Sequence, residues 1–281
     1  MNHTTEQITA RDGTRLAVHI FTPDGANGSG ASPRDLVLLH GWPNAGRVWA
    51  DLADDLLLAA PLRILAPDFR GFGDSDRPET GYTCSGFAQD VLDVVAALGV
   101  KPDWALAGHS MGGKIAQYVA AERPEGLSAL ALLTPAPLTG APMPPDIAAR
   151  KAAHGDPEKA RELLATWAAH PLPEPVLQRL VEDAQNTGKA AWDGWLETMR
   201  GEDSPERAAG ILVPTLVIGG GRDPLRSEEE LRREVADRIR GATYAGLPRC
   251  GHLPHLEEPV TLAALLINFL DGLPKAVVES A

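Results

Sequence analysis

At 281 residues the chain is long enough to bury a full hydrophobic core, as one large α/β domain or two smaller ones. A formal charge of −12 without clustered Lys and Arg argues against a nucleic-acid partner, because phosphate binding rests on such clusters. Residues 1–15 are polar and no later run approaches a membrane span, so a soluble, unexported, cytoplasmic protein without a membrane partner is expected.

In chain order, residues 5–10 and 14–21 alternate apolar and polar side chains about Arg11-Asp12-Gly13, which predicts an antiparallel hairpin. Residues 22–34, rich in Gly, Ser, Asn and Pro, read as a surface loop. Residues 35–40 form a short, continuously apolar run, the pattern of a parallel strand buried on both faces. It ends in His40-Gly41-Trp42-Pro43-Asn44. Helical spacing over residues 48–60 and a second buried strand over 62–66 complete a βαβ unit, which ends at Asp68-Phe69-Arg70-Gly71-Phe72-Gly73-Asp74-Ser75.

Residues 83–98 have helical spacing, with Phe87, Val91, Val94 and Val95 on one face. A strand over 104–108 then runs into Gly108-His109-Ser110-Met111-Gly112, a helix is predicted over 111–122 and another strand over 127–134. This alternation predicts an α/β fold with a mostly parallel central sheet flanked by helices.

The alternation breaks over residues 135–207, which read as helical and Pro-punctuated, with helices expected over 159–170, 175–184 and 189–199. Such an insertion predicts a helical cap over the C-terminal edge of the strands, so that residues 1–134 and 208–281 form the core domain and 135–207 the cap. Trp192, Trp195 and Met199 share one helical face and Trp167 lies on another helix. These rings serve either to pack the cap or, together with Trp42, to wall an apolar substrate pocket.

The sheet pattern resumes over 215–219 and ends at Gly221-Arg222-Asp223-Pro224. A charged amphipathic helix is expected over 227–239, a last strand over 242–247 leading to Gly251-His252, a helix over 260–270 and a loose tail over 271–281.

Serine is a weak nucleophile that needs a base within hydrogen-bond reach and an acid to orient that base. Ser110, Asp223 and His252 each follow a predicted buried strand, and the C-terminal ends of parallel strands share one edge of the sheet. Gly108 and Gly112 suit a sharp strand-to-helix turn, and Ser110 would meet the free N–H groups of a helix N-terminus, with the Met111 amide as one oxyanion donor. Cys84 and Cys250 are too few for a disulfide framework and lack metal-ligand spacing, and no metal or organic cofactor is implied.

From His40 through Pro259 the chain resembles the α/β-hydrolase fold superfamily, and within it the serine esterases and the cofactor-free haloperoxidase or perhydrolase group. The His-Gly-Trp-Pro loop, the Asp-Phe-Arg-Gly-Phe-Gly-Asp-Ser loop, the Gly-His-Ser-Met-Gly-Gly elbow and the Gly-Arg-Asp-Pro and Gly-His pair carry that resemblance in order. It implies a Ser110-His252-Asp223 triad, with the Trp42 and Met111 amides as the oxyanion hole. His40 and His109 are expected to brace loops, His255 to lie at the surface or against the cap, and Asp68 and Arg70 to brace a glycine-rich loop. A serine at the elbow argues against epoxide hydrolases and haloalkane dehalogenases, which use an aspartate there. The expected function is hydrolysis of a small-molecule carboxylic ester or lactone through an acyl-enzyme. Alternatives are perhydrolysis, with peroxide in place of water, a large cyclic ester such as a macrolide as substrate, and, from a different class, a non-catalytic ligand-binding receptor. Oligomeric state is not legible in the residues.

Overall fold

The computed structural model describes residues 1–24 and 33–273, so most of the expected loop over 22–34 and the tail beyond 273 lie outside the described residues. Strands β1 (Asn2–Thr9) and β2 (Arg15–Thr22) pair antiparallel, closed by the Ala10 N–H donating to the Thr14 carbonyl at 2.8 Å. Then come β3 (Arg34–Leu39), α1 (Ala50–Ala59), β4 (Leu62–Pro67), α2 (Cys84–Ala97), β5 (Trp104–His109), α3 (Met111–Ala121) and β6 (Leu127–Leu133). The start of α2 is set by Thr83, whose Oγ1 accepts the Gly86 N–H at 3.0 Å.

Four helices separate β6 from the next strand: α4 (Ile147–Ala152), α5 (Pro157–Ala165), α6 (Glu174–Gln185) and α7 (Lys189–Asp193). The chain returns to the sheet with β7 (Thr215–Gly220), α8 (Glu228–Glu234) and β8 (Thr243–Leu247), and ends in α9 (Pro254–Glu257) and α10 (Pro259–Asp271). The eight strands form one sheet in the order β1-β2-β4-β3-β5-β6-β7-β8. From β4 across to β8 every neighbouring pair is parallel. The strands that read as continuously apolar are the central ones, and β5 is buried along its whole length because helices cover both faces.

Three predicted helices are interrupted. The one expected over 159–170 ends at Ala165, and the following turn aims the Trp167 carbonyl at the His252 amide, 2.8 Å away. The one expected over 189–199 is α-helical only to Asp193, continuing as a π-helical turn over Gly194–Thr198 and a 3₁₀ turn over Met199–Gly201. Gly194 lies so close to Tyr82 that a Cβ there would meet the Tyr82 Cβ at 2.7 Å. The helix expected over 227–239 stops at Glu234, where Val235 leaves helical backbone with φ −127° and ψ −66°. That break buries both Val235 and Ile239. Helices α4 and α9, of six and four residues, are too short to leave a periodic signature.

Helix α6 and the residues after it rest on the loops that follow β3 and β4. Asp183 accepts from the Arg47 Nε at 2.5 Å, Thr187 donates to the Pro43 carbonyl at 3.1 Å and Gly188 to the Gly71 carbonyl at 2.7 Å. These bonds tie α6 and the residues after it to those two loops.

Candidate active site

Between β5 and α3 the backbone turns within one residue. Ser110 has φ 51° and ψ −111°, a conformation that costs a non-glycine residue about 1–3 kcal/mol. Hydrogen bonds on both sides over-determine it: the Ser110 N–H donates to the Leu133 carbonyl at 3.0 Å, and the Ser110 carbonyl accepts from Ala136 at 2.9 Å and Lys114 at 3.1 Å. The glycines on either side are sterically required. A Cβ on Gly108 would sit 2.3 Å from the Gly112 carbonyl oxygen, and one on Gly112 would sit 2.3 Å from that of Leu39. Met111 is the first residue of α3, so its N–H has no acceptor within the helix and is free for a ligand.

Two other strand ends deliver the partners. His252, after β8, places Nε2 3.0 Å from the Ser110 Oγ, and its Nδ1 lies 2.8 Å from the Asp223 Oδ2 after β7. A carboxylate only accepts, so Nδ1 carries the proton and Nε2 is left to accept from the serine hydroxyl. The other carboxylate oxygen of Asp223 accepts the Leu225 and Arg226 N–H groups at 2.7 and 3.1 Å, which fixes its orientation. The His252 main chain is held as firmly. Its carbonyl accepts from the His109 Nε2 at 2.7 Å and the Thr134 Oγ1 at 3.1 Å, and its N–H donates to Trp167. Glu257 ties the same loop down by accepting from Gly251 and Leu253 at 3.0 Å and from Ala169 at 2.8 Å.

The remaining histidines near the site are structural. The His40 Nδ1 donates to the Gly41 carbonyl at 3.0 Å and its Nε2 accepts the Phe69 N–H at 3.1 Å, and burial holds its pKa down at about 4. Burial likewise lowers His109 well below the ordinary range. His255, expected at the surface or against the cap, is instead fully buried, with its ring 4.7 Å from that of Trp49 and 4.6 Å from that of His109. The cause is α9, which turns it inward, and burial lowers its pKa to about 3. Asp68 and Arg70 do brace their loop, though not through one another. Asp68 accepts from Gly46 at 2.6 Å and Asp74 at 2.8 Å, whereas Arg70 grips Asp90 and Asp12. Cys84 and Cys250 are both buried, and burial raises each thiol, so neither is a reactive thiolate.

Ser110 and His252 open into a cavity of about 310 Å³. Trp42, Trp167 and Trp195 line it, and the Trp167 ring meets His252 edge-on at 6.2 Å. Trp192 is not among the lining residues. It is fully buried behind the wall, edge-on to Trp42 at 4.5 Å, with its Nε1 donating to the Arg150 carbonyl at 3.1 Å. The π-helical turn shifts the register between the two tryptophans, which is why a shared helical face did not give them a shared environment.

A model of the family described as "Alpha/beta hydrolase family" matches residues 36–265. The chain belongs to the alpha/beta hydrolase family. It is 30% identical over 264 residues to the lipase LipV of Mycobacterium tuberculosis (strain ATCC 25618 / H37Rv), covering 89% of this chain and 96% of that protein. A soluble epoxide hydrolase of Corynebacterium sp. (strain C12) is 41% identical over 85 residues, a match that spans 30% of this chain and only 29% of that protein. Among solved structures, an esterase from Exiguobacterium antarcticum superposes with a TM-score of 0.85 at 24% identity over 95% of this chain and the whole of that one.

In this alpha/beta hydrolase, residues that the sequence reading missed surround the cavity. Arg150, Arg200 and Arg226 all line it, and Glu257 and Thr134 hold the His252 loop. Glu257 stands five positions after His252 and Arg226 two positions after the Gly221-Arg222-Asp223-Pro224 turn, but neither residue type at that spacing carries a signal of its own. The arginines lie on three separate segments, and nothing in residue order groups them. Among the described residues no helix is long and apolar enough to cross a membrane, and no group of three or more His, Cys, Asp or Glu could hold a metal ion.

Proposed function

We propose that this alpha/beta hydrolase cleaves a small-molecule carboxylic ester or lactone through an acyl-enzyme on Ser110. The reading rests on one observation above the others: an unbroken hydrogen-bonded chain from Asp223 through His252 to a strained Ser110 that faces a cavity. His252 takes the Ser110 proton as Oγ attacks the carbonyl carbon, and returns it to the leaving alkoxide oxygen as the ester bond breaks. Water then attacks the acyl carbon with His252 again as base, releasing the carboxylic acid and restoring Ser110. Asp223 keeps the imidazole in the useful tautomer and stabilises its cationic form. The N–H groups of Met111 and Trp42 are the proposed oxyanion donors, each worth about 3 kcal/mol of barrier.

Residues 135–207 are proposed to act as the cap, contributing Trp167 and Trp195 to the pocket, while Trp42 belongs to the core. A volume of about 310 Å³ suits a small ligand rather than a polymer. The lipase name of one relative supports ester chemistry. A panel of esters and lactones varied in acyl length and ring size, assayed with wild type and Ser110→Ala, tests the proposal. Turnover in wild type and none in the variant is the expected result; equal turnover in both would remove Ser110 from the mechanism.

A further inference from the structure

A cavity built for a neutral ester needs no charge beyond its triad. This one carries three guanidinium groups and one further carboxylate, that of Asp146. Arg150 comes from α4, Arg200 from the 3₁₀ turn after the π-helical segment, and Arg226 from the loop after β7. Two of them are neutralised: Arg150 pairs with Asp146 at 2.9 Å, and Arg226 pairs with Glu230. Arg200 has no carboxylate within ion-pair distance among the described residues. Its Nε donates to the Pro142 carbonyl at 3.2 Å, which leaves the rest of the planar fork without a direct ion-pair partner, the nearest carboxylates being those of Asp146 and Glu230, each already paired with another arginine. Burial, with Arg226 and Arg150 as like-charged neighbours, pushes its pKa down to about 10 against the opposing pull of Asp146 and Glu230. It stays protonated at neutral pH and holds a positive charge at a cost that an anion in the cavity would relieve.

We infer that the substrate of this site carries a carboxylate, which Arg200 binds while Ser110 attacks the ester or lactone carbonyl. Guanidinium matches a carboxylate with two parallel hydrogen bonds, and a charge-assisted pair in a partly dehydrated cavity is stronger than a neutral one. Arg150 and Arg226, each already paired with a carboxylate, leave Arg200 as the cation of this wall without a direct ion-pair partner among the described residues. The tryptophans Trp42, Trp167 and Trp195 then cover the apolar part of the same molecule. The inference rests on the hydrolase reading and sharpens its substrate class to an acidic ester or lactone.

The test compares matched esters with wild type, Arg200→Gln and Arg200→Lys. Mono-4-nitrophenyl glutarate against 4-nitrophenyl pentanoate places the charge on the acyl side. For the alcohol side, 3-carboxyphenyl butanoate is set against phenyl butanoate. Corrected for background, kcat/KM is expected to favour the anionic member of at least one pair by about tenfold to a hundredfold, the range of a charge-assisted hydrogen bond. That ratio should fall to near one in Arg200→Gln, persist in part in Arg200→Lys, and shrink with added salt. Neutral esters turned over as well as or better than anionic ones in both pairs would overturn the inference, as would an unchanged ratio in a folded Arg200→Gln protein. Labelling of Ser110 by a fluorophosphonate in the same samples separates the two failures. A labelled enzyme without anion preference loses only the carboxylate; an unlabelled, inactive one loses the hydrolase reading, and the inference with it.

Discussion

The two sides of the cavity are built on different principles. The floor consists of three turns at the ends of adjacent or near-adjacent strands, and main-chain hydrogen bonds lock each of them: Ser110 against Leu133 and Ala136, Asp223 against its own loop, His252 against Trp167, His109 and Thr134. The opposite wall draws its charged groups from segments without a common scaffold, a six-residue helix, a three-residue turn and a loop. A rigid floor suits chemistry, because a nucleophile and base must stay within hydrogen-bond reach at fixed angles. On the proposed reading the wall recognises rather than reacts, and it touches the floor through the Trp167 carbonyl, which accepts the His252 N–H.

That contrast can be broken in several places. The largest effect is expected from Ser110→Ala, which should lower kcat on any accepted ester by about 10⁶-fold with the melting temperature preserved. Asp223→Asn should lower kcat by about 10⁴-fold, because the amide selects the wrong imidazole tautomer, with KM little changed. Steady-state kinetics at saturating ester check both.

Behind the wall the outcome shifts from rate to stability. Trp192→Ala should cost about 3–5 kcal/mol in urea unfolding, since it empties a fully buried site against Trp42, while Trp195→Ala should change the preference for acyl length more than the stability. The smallest effect concerns His255, which has neither ring nitrogen hydrogen-bonded. Its folded pKa, lowered to about 3 from 6.5, means that only the unfolded chain takes up a proton as pH falls below 6.5. Its stability contribution is therefore present above pH 6.5 and lost progressively as pH falls towards 3. His255→Phe should be near neutral at pH 7 and should gain about 2 kcal/mol over wild type at pH 5. Calorimetric melting at the two pH values measures it.

The floor was legible in the sequence because its parts are local patterns: an apolar strand, then a turn that only small residues permit, then a helix. Gly108 and Gly112 could be picked out beforehand because they flank Ser110 between an apolar strand and a helix, and in the structure their neighbours leave no space for a Cβ. The wall was not, for three physical reasons. The π-helical turn over Gly194–Thr198 displaced Trp195 from Trp192 where regular spacing put them on one face. Helix α9, too short to leave a periodic signature, buried His255, which was expected at the surface or against the cap. Arg150, Arg200 and Arg226 converge only through tertiary packing, and an isolated arginine in a sequence is indistinguishable from one on a solvated helix face. The inserted helices were expected as a block, but their internal breaks follow from contacts with Tyr82 and His252 that residue order does not contain.

The central claim is that Ser110 is an activated nucleophile. Mass mapping of the intact protein after treatment with a fluorophosphonate tests it most directly, with His252→Gln as the comparison. A single adduct on the peptide containing Ser110, formed quickly in wild type and at least about a hundredfold more slowly in His252→Gln, is the predicted result. A folded wild-type protein that forms no adduct, or one that reacts at Ser110 equally fast without His252, would contradict it.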